Sequence, residues 1–204
     1  MAQDPGTGPL KKVTLLEAGD RSDDIYDEWA DAYESDLIDE FGYTAHTIAA
    51  DALLERLTDH HASIVDYGCG TGLVGEHLHA AGCGAVDGVD YSPGMLDVCR
   101  EKGSYRALIE ADLTQALDIP DGAYDAMICV GVMGAGHLVP EHFAELFRTV
   151  KPGGPIVLFG NGTPYVDEGY AERFAALGWT IERTAMVNYM ATLKRPGALV
   201  VGRR

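Results

Sequence analysis

Ile64-Val65-Asp66-Tyr67-Gly68-Cys69-Gly70-Thr71-Gly72 is an apolar run that closes on a carboxylate and opens into a glycine-rich turn. The run is strand-sized, and residues 73–81 after it have helical periodicity and stop at Gly82. Such a turn lets a ligand approach the backbone closely, because no side chain beyond the α-carbon blocks it. Taken alone the stretch is ambiguous. Gly70-Thr71-Gly72-Leu73-Val74-Gly75 also satisfies GxGxxG, and Asp90 lies about 20 residues on, as a dinucleotide fingerprint requires.

From Ser63 onward, short apolar runs alternate with helical patterns, the signature of a parallel sheet with crossover helices. Strands are predicted near residues 63–67, 85–90, 105–109, 124–130 and 155–159. Helices are predicted over 93–102, capped by Ser92 and stopped by Gly103, over 140–150 ahead of Lys151-Pro152-Gly153-Gly154, and over about 167–177 before Gly178. Residues 179–186 and 198–202 read as two strands joined by a loop containing Pro196 and Gly197. That loop is too short for a crossover helix, so the strands pair antiparallel. Upstream, Ser22 before Asp23 and Asp24 reads as a helix N-cap, and Tyr26, Trp29, Ala30, Tyr33 and Leu37 as one face of a helix over 22–39. A second helix is expected over 44–57.

The 204 residues, 47% of them hydrophobic, suit one domain with a core of ordinary size. The longest apolar runs, at 126–133 and 155–159, fall well short of the ~20 residues that span a bilayer. The N-terminus does not read as a secretory signal, so a cytoplasmic location is expected. Cys69, Cys83, Cys99 and Cys129 form no CxxC pair and have no His partner at zinc-finger spacing, which reads as buried reduced thiols and no metal site. The net charge is −17, and the first 60 residues hold 15 of the 32 acidic side chains against four basic ones. Without a Lys/Arg cluster to release phosphate counterions, neither nucleic acid nor a membrane is an expected partner.

Four features bear on the ambiguity of the turn. Asp66 lies two residues before the first glycine, where a dinucleotide fold continues an apolar strand, and it suits a cationic ligand. Asp90 ends the second strand, where it either accepts from both ribose hydroxyls or caps its strand. Asp112, in Glu110-Ala111-Asp112-Leu113, either accepts from an adenine amino group or is an ordinary loop carboxylate. The turn at 151–154 leads into the fifth strand, and a terminal hairpin replaces the sixth parallel strand of a dehydrogenase.

With these features, residues 22–204 resemble the class I S-adenosylmethionine-dependent methyltransferases. Tyr26-Asp27-Glu28-Trp29-Ala30-x-x-Tyr33, Ser92-Pro93-Gly94-Met95-Leu96 and Gly131-Val132 with Gly136-His137 resemble the group typified by methyltransferase-like protein 27. The resemblance implies an α/β fold, a Rossmann-like doubly wound sheet of seven strands in the order 3-2-1-4-5-7-6 with the last antiparallel. It implies a flexible tail over 1–21 and a single domain over 22–204, made of lid helices over 22–60 and a core over 61–204. The implied cofactor is S-adenosylmethionine, with S-adenosylhomocysteine as product. Asp66, Gly68 and Gly70 would surround its methionine part, Asp90 its ribose, and Asp112 with Leu113 its adenine. Tyr26 and Tyr33 would cover it from the N-terminal helix, and Tyr91, Met95 and Val130 complete the expected cofactor set. Tyr26, Trp29 and Tyr33 also read as core aromatics.

The loop from Cys129 to His137 faces the departing methyl group in this architecture. It has neither the Asn/Asp-Pro-Pro-aromatic run nor the Pro-Cys nucleophile of the nucleic-acid enzymes that resemble this class. His137 is the candidate general base, or else a surface histidine, and Tyr43, His46 and Tyr189 are candidates for the acceptor pocket. Displacement of a sulfonium mainly requires alignment and exclusion of water, so an evident base is not essential. Residues 160–178 are too few for a large cap domain, which favours a small-molecule acceptor methylated on O, N or S. The acidity of the N-terminal helices favours a neutral or cationic one. Two rivals remain: a non-catalytic S-adenosylmethionine-binding module, and an NAD(P)-dependent oxidoreductase, whose substrate domain or Tyr-x-x-x-Lys pair is not found in the second half.

Overall fold

Ile64–Tyr67 forms β1, buried at every residue, as an apolar run covered on both faces must be. The computed structural model that shows this describes residues 6–16, 23–134, 137–193 and 195–204; the expected cap Ser22 and the motif residue Gly136 lie outside them. β2 (Val86–Asp90) and β4 (Ala126–Val130) flank β1 in parallel, with Ile64 opposite Val86 and Ala126. β3 (Ala107–Glu110) pairs with β2, and β5 (Pro155–Asn161) with β4, also in parallel. β7 (Arg195–Arg203) runs antiparallel to β5, and β6 (Thr180–Met190) antiparallel to β7. The order is therefore β3-β2-β1-β4-β5-β7-β6, as the family resemblance implies.

Side chains alternate across the sheet with the period of two that strands impose. Ile64, Val86, Ala126, Ile128 and Val157 face one core with α3 (Ala45–Leu54) and α4 (Leu73–Ala80). Val65, Tyr67, Val89, Met127, Ile156 and Leu158 face the other. That second core is closed by α6 (Phe143–Arg148), α8 (Tyr170–Ala176) and Trp179, whose rings meet edge-on or tilted. α5 (Pro93–Lys102) starts as expected, with Ser92 Oγ accepting from the Met95 N–H at 3.1 Å, and ends at Gly103. All four cysteines are buried free thiols.

Several boundaries are corrected. Residues 8–14, expected within a flexible tail, form α1 (Gly8–Thr14), because Leu10 and Val13 have an apolar core to enter; residues 17–22 lie outside the described chain. The single helix expected over 22–39 is three windings: α2 (Asp23–Trp29), a 3₁₀ turn over Ala30–Ala32, and a π-helical turn over Ser35–Glu40. The helix expected over 140–150 is a 3₁₀ turn, Pro140–His142, followed by α6. An additional helix, α7 (Gly162–Asp167), starts where Asn161 Oδ1 caps the Thr163 N–H, and Gly169 separates it from α8. Pro196 and Gly197 belong to β7 and not to the hairpin loop. Pro196 sits beside the register shift between Asn188 and Met190, where its missing N–H costs the ladder least. Among the described residues no helix is long and apolar enough to cross a membrane.

Candidate active site

Beyond β1 the backbone turns through Gly68 and Gly70, both at positive φ. A Cβ on Gly68 would stand 2.2 Å from Val132 Cγ1, so this glycine lets the turn lie against the loop after β4. A Cβ on Gly70 would meet nothing within 4 Å, so this glycine borders open space at the mouth of the parallel strands.

Two buried carboxylates flank that space. Asp66, 1% exposed, accepts from the Tyr105 hydroxyl at 2.6 Å through Oδ2, while its Oδ1 is buried without a hydrogen bond. Burial pushes its pKa up to about 7, against the pull of Tyr105, and the charge of Asp90 pushes the same way. Asp90, 7% exposed, accepts from the Gly70 N–H at 2.8 Å and the Ser92 N–H at 3.0 Å. Burial raises it too, and these backbone donors hold it down. A buried orphan oxygen beside a second carboxylate is unfavourable unless a ligand brings donors or positive charge. The ammonium and ribose hydroxyls of S-adenosylmethionine fit that requirement.

The other expected cofactor residues are less uniform. Tyr91 is half-buried, and its phenol is one of the groups that raise Tyr26. Met95 and Leu113 are buried, Leu113 in the second core. Val130 is half-buried at the end of β4. Asp112 is exposed, and its Oδ1 accepts from the backbone N–H and hydroxyl of Thr114, closing a local turn.

The N-terminal segment lies over the cleft. Asp27 Oδ1 accepts from the Ser92 hydroxyl and from the Gly94 N–H at 3.1 Å, so α2 is docked on the first turn of α5. Lys102 binds Glu34 and, at 2.7 Å, Glu76, which ties the segment to α5 and α4. Tyr26, Trp29 and Tyr33 pack against one another, with Trp29–Tyr33 centroids 4.8 Å apart. Beneath them is a cavity of about 170 Å³. Its lining includes Tyr26, Trp29, Tyr33, Tyr43, His137, Phe159, Tyr189 and Arg195, with Leu10, Val13 and Leu16 from the α1 segment.

The cavity gathers most of the acceptor-side candidates. His137 Nε2 lies 2.9 Å from the Tyr26 hydroxyl. Tyr43 and Tyr189 meet edge-on, centroids 5.8 Å apart. His46 is placed differently: it stacks on Tyr43 at 5.6 Å and is not among the described lining residues. Burial and the nearby His77 lower its pKa.

Asp27, Tyr105 and Arg195 were not singled out from sequence. Tyr105 lies outside β3, although residues 105–109 read as a strand. Its hydroxyl accepts from the Gly75 N–H at 3.0 Å and donates to Asp66, and its ring fills the space over Gly75, where a Cβ would come within 2.2 Å. The only sequence signal for this contact is the pair of glycines, Gly75 and Gly88, that make room for it. Among the described residues no three His, Cys, Asp or Glu side chains form a group that could hold a metal ion.

Residues 64–154 match a family model described as a methyltransferase domain. Human methyltransferase-like protein 27 is 40% identical over 137 residues, 66% of this chain and 55% of that protein. The demethylmenaquinone methyltransferase of Symbiobacterium thermophilum is 33% identical over 109 residues, 50% of this chain and 43% of that protein. The chain thus spans about half the length of the curated relatives it matches. The crystal structure of the [4+2]-cyclase SpnF shares the fold at 17% identity, with a TM-score of 0.73 over 93% of this chain and 97% of that one. Residues 64–154 thus carry a methyltransferase domain, and in strand order and sequence the chain resembles the class I S-adenosylmethionine-dependent methyltransferases and methyltransferase-like protein 27.

Proposed function

We propose that this chain transfers a methyl group from S-adenosylmethionine to an O, N or S atom of a small molecule. The observation that carries the reading is an aromatic-lined cavity whose wall includes Tyr26 and Tyr33, both within the field of the buried Asp90. When bound, S-adenosylmethionine supplies a methyl group on a sulfonium, so an acceptor lone pair forms the new bond as the C–S bond breaks and its electrons stay on sulfur. The residues have to hold the two reactants in line and keep water out.

Asp66 would offer its orphan Oδ1 to the ammonium group, Asp90 would hold the ribose hydroxyls, and Asp112 with Leu113 would border the adenine. Tyr26 and Tyr33 form the roof shared by cleft and cavity. Burial raises the Tyr26 phenol, which stays protonated near neutrality. With His137 Nε2 within hydrogen-bond reach, this pair gives an acceptor proton a path away from the reacting atom.

A cavity of about 170 Å³ lined by aromatic and aliphatic side chains has room for a small acceptor. The fold alone does not decide the reaction, since the likeness to a cyclase shows the same scaffold under a different name. Calorimetric titration with S-adenosylmethionine, S-adenosylhomocysteine and NAD, followed by turnover on a panel of acceptors, tests the proposal. We expect micromolar binding of the two sulfur ligands and none of NAD, with Asp90→Ala weakening binding about tenfold or more. Tight NAD binding, or no binding of either sulfur ligand, refutes it.

A further inference from the structure

Tyr43 is held in place from several sides. Its N–H donates to the Leu37 carbonyl at 3.0 Å, it makes an antiparallel bridge to Met190 at the end of β6, and the Thr44 N–H donates to the Tyr189 carbonyl at 2.9 Å. The ring is buried, with His46 stacked on it and Tyr189 meeting it edge-on. It lines the cavity together with Gly131, the first residue after β4, and a Cβ on Gly131 would stand 3.8 Å from the Tyr43 hydroxyl. Val132, the next residue, is the one against which the turn at Gly68 lies, so the hydroxyl stands where the cavity meets the loop that this turn rests on. Among the described residues nothing hydrogen-bonds to that hydroxyl. The Tyr26 hydroxyl and His137 Nε2, by contrast, hold each other at 2.9 Å, and Asn161 Oδ1 accepts from the Thr163 N–H at 3.2 Å. The Tyr33 hydroxyl has no hydrogen bond among the described residues either, but Tyr33 lies in the segment of mixed winding and not against a strand end. A buried hydroxyl without a partner is unfavourable until a ligand or a water supplies one.

We infer that the Tyr43 hydroxyl anchors the methyl acceptor, and that this acceptor is an apolar molecule carrying an uncharged oxygen. This deepens the methyltransferase reading and rests on it. It also narrows the expectation drawn from net charge, which allowed a cationic acceptor as well. Burial first, then the neighbouring Tyr33, Tyr189, Tyr26 and Asp66, raise the Tyr43 phenol, so it stays protonated near neutrality and brings a dipole without a charge. Such a group donates to an oxygen or accepts from a hydroxyl, whereas a desolvated ammonium would gain no counter-charge from it. The apolar body of the ligand would meet Trp29, Phe159 and Tyr189, with Leu10, Val13 and Leu16 of the α1 segment. Because the ring is already fixed, the bond forms without first ordering a side chain, which saves the entropy that a free rotor would lose.

The probes are phenol and toluene, titrated by NMR into wild type and Tyr43→Phe, each saturated with S-adenosylhomocysteine. Tyr43→Phe keeps the ring and its packing and removes only the hydroxyl. The variant is expected to weaken phenol about threefold to tenfold, the worth of one neutral hydrogen bond, and to leave toluene unchanged or bound more tightly. The difference between the two probes isolates the coupling of the protein hydroxyl to the ligand hydroxyl. Without ligand, Tyr43→Phe should melt no lower than wild type, because the fold loses no hydrogen bond, whereas a merely structural hydroxyl would lower the melting temperature. No phenol binding at millimolar concentration, an equal effect of the variant on both probes, or a lower melting temperature overturns the inference. Should Tyr43→Phe fail to fold by circular dichroism, a crystal structure of wild type with phenol and S-adenosylhomocysteine decides. The phenol oxygen is expected within hydrogen-bond distance of Tyr43 Oη, and its pairing elsewhere overturns the inference. Binding of S-adenosylhomocysteine is measured first. Its absence sinks the methyltransferase reading, while its presence without the coupling sinks only this inference.

Discussion

Asp66→Asn keeps the shape of the side chain and an oxygen to accept from Tyr105 while removing the charge. In the ligand-free protein burial lifts Asp66 from the ordinary 3.8 to about 7, so the fold favours the protonated form. That contribution to stability is fully present below about pH 4 and is lost as the pH rises through 7. Above pH 7 the ionised carboxylate costs about 4 kcal/mol relative to the neutral group. Asparagine is neutral throughout, so the variant should exceed wild type at pH 8 by up to about 4 kcal/mol, or about 10 °C in Tm for a chain of this size. The gain should shrink toward zero near pH 4. Ligand binding should change in the opposite sense: S-adenosylhomocysteine affinity at pH 8 falls about tenfold or more, because the ammonium loses its charged partner. Thermal unfolding of both proteins from pH 4 to 8.5 without ligand, paired with calorimetry at pH 8, measures both effects. A stability difference that does not vary with pH, or an unchanged affinity, refutes the reasoning.

Two other substitutions address the supporting contacts. Tyr105→Phe removes the hydroxyl that serves both Asp66 and the Gly75 N–H, and should cost about 1–3 kcal/mol in urea unfolding while moving the Asp66 titration higher still; unchanged stability would show that water replaces the hydroxyl. Asp27→Ala detaches α2 from Ser92 and Gly94, and should speed amide exchange over residues 23–40 and weaken S-adenosylhomocysteine. If neither changes, the segment is not held over the cleft by this carboxylate.

The sheet was legible because β1, β4 and β5 are short, mainly apolar runs between turn signals, and because the glycine-rich turn after β1 fixes which ends carry the cleft. Asp66 and Asp90 were legible because a carboxylate at the end of a buried strand contradicts its surroundings. The winding of residues 23–40 was not. A periodicity argument assumes a constant 3.6 residues per turn, whereas this segment changes winding near the 2.7 Å bond from Trp29 Nε1 to Asp36. Nor was α7, which depends on a two-residue cap at Asn161 just before a proline. Arg195 lay beyond sequence reasoning for another reason. Nothing near it in the chain marks it as buried, and only the pairing of β7 between β5 and β6 carries it into the cavity. The place of His46, stacked on Tyr43 and outside the described lining, was not legible either, because helical spacing locates a residue on a face and not behind a particular neighbour.

The socket of Tyr105 bears on how such chains diverge. A Cβ at Gly75 would fall 2.2 Å from the ring, and one at Gly88 would stand 2.9 Å from Cys69 Sγ, 3.0 Å from Leu108 and 3.1 Å from Tyr105. The third glycine of the GxGxxG pattern is thus kept small by a ring thirty residues downstream, which makes the three positions historically contingent on one another. A smaller residue at 105 would free position 75 for a side chain, whereas position 88 would still meet Cys69 and Leu108. With a side chain at 75 the tyrosine ring no longer fits, and Asp66 loses the hydroxyl that donates to it.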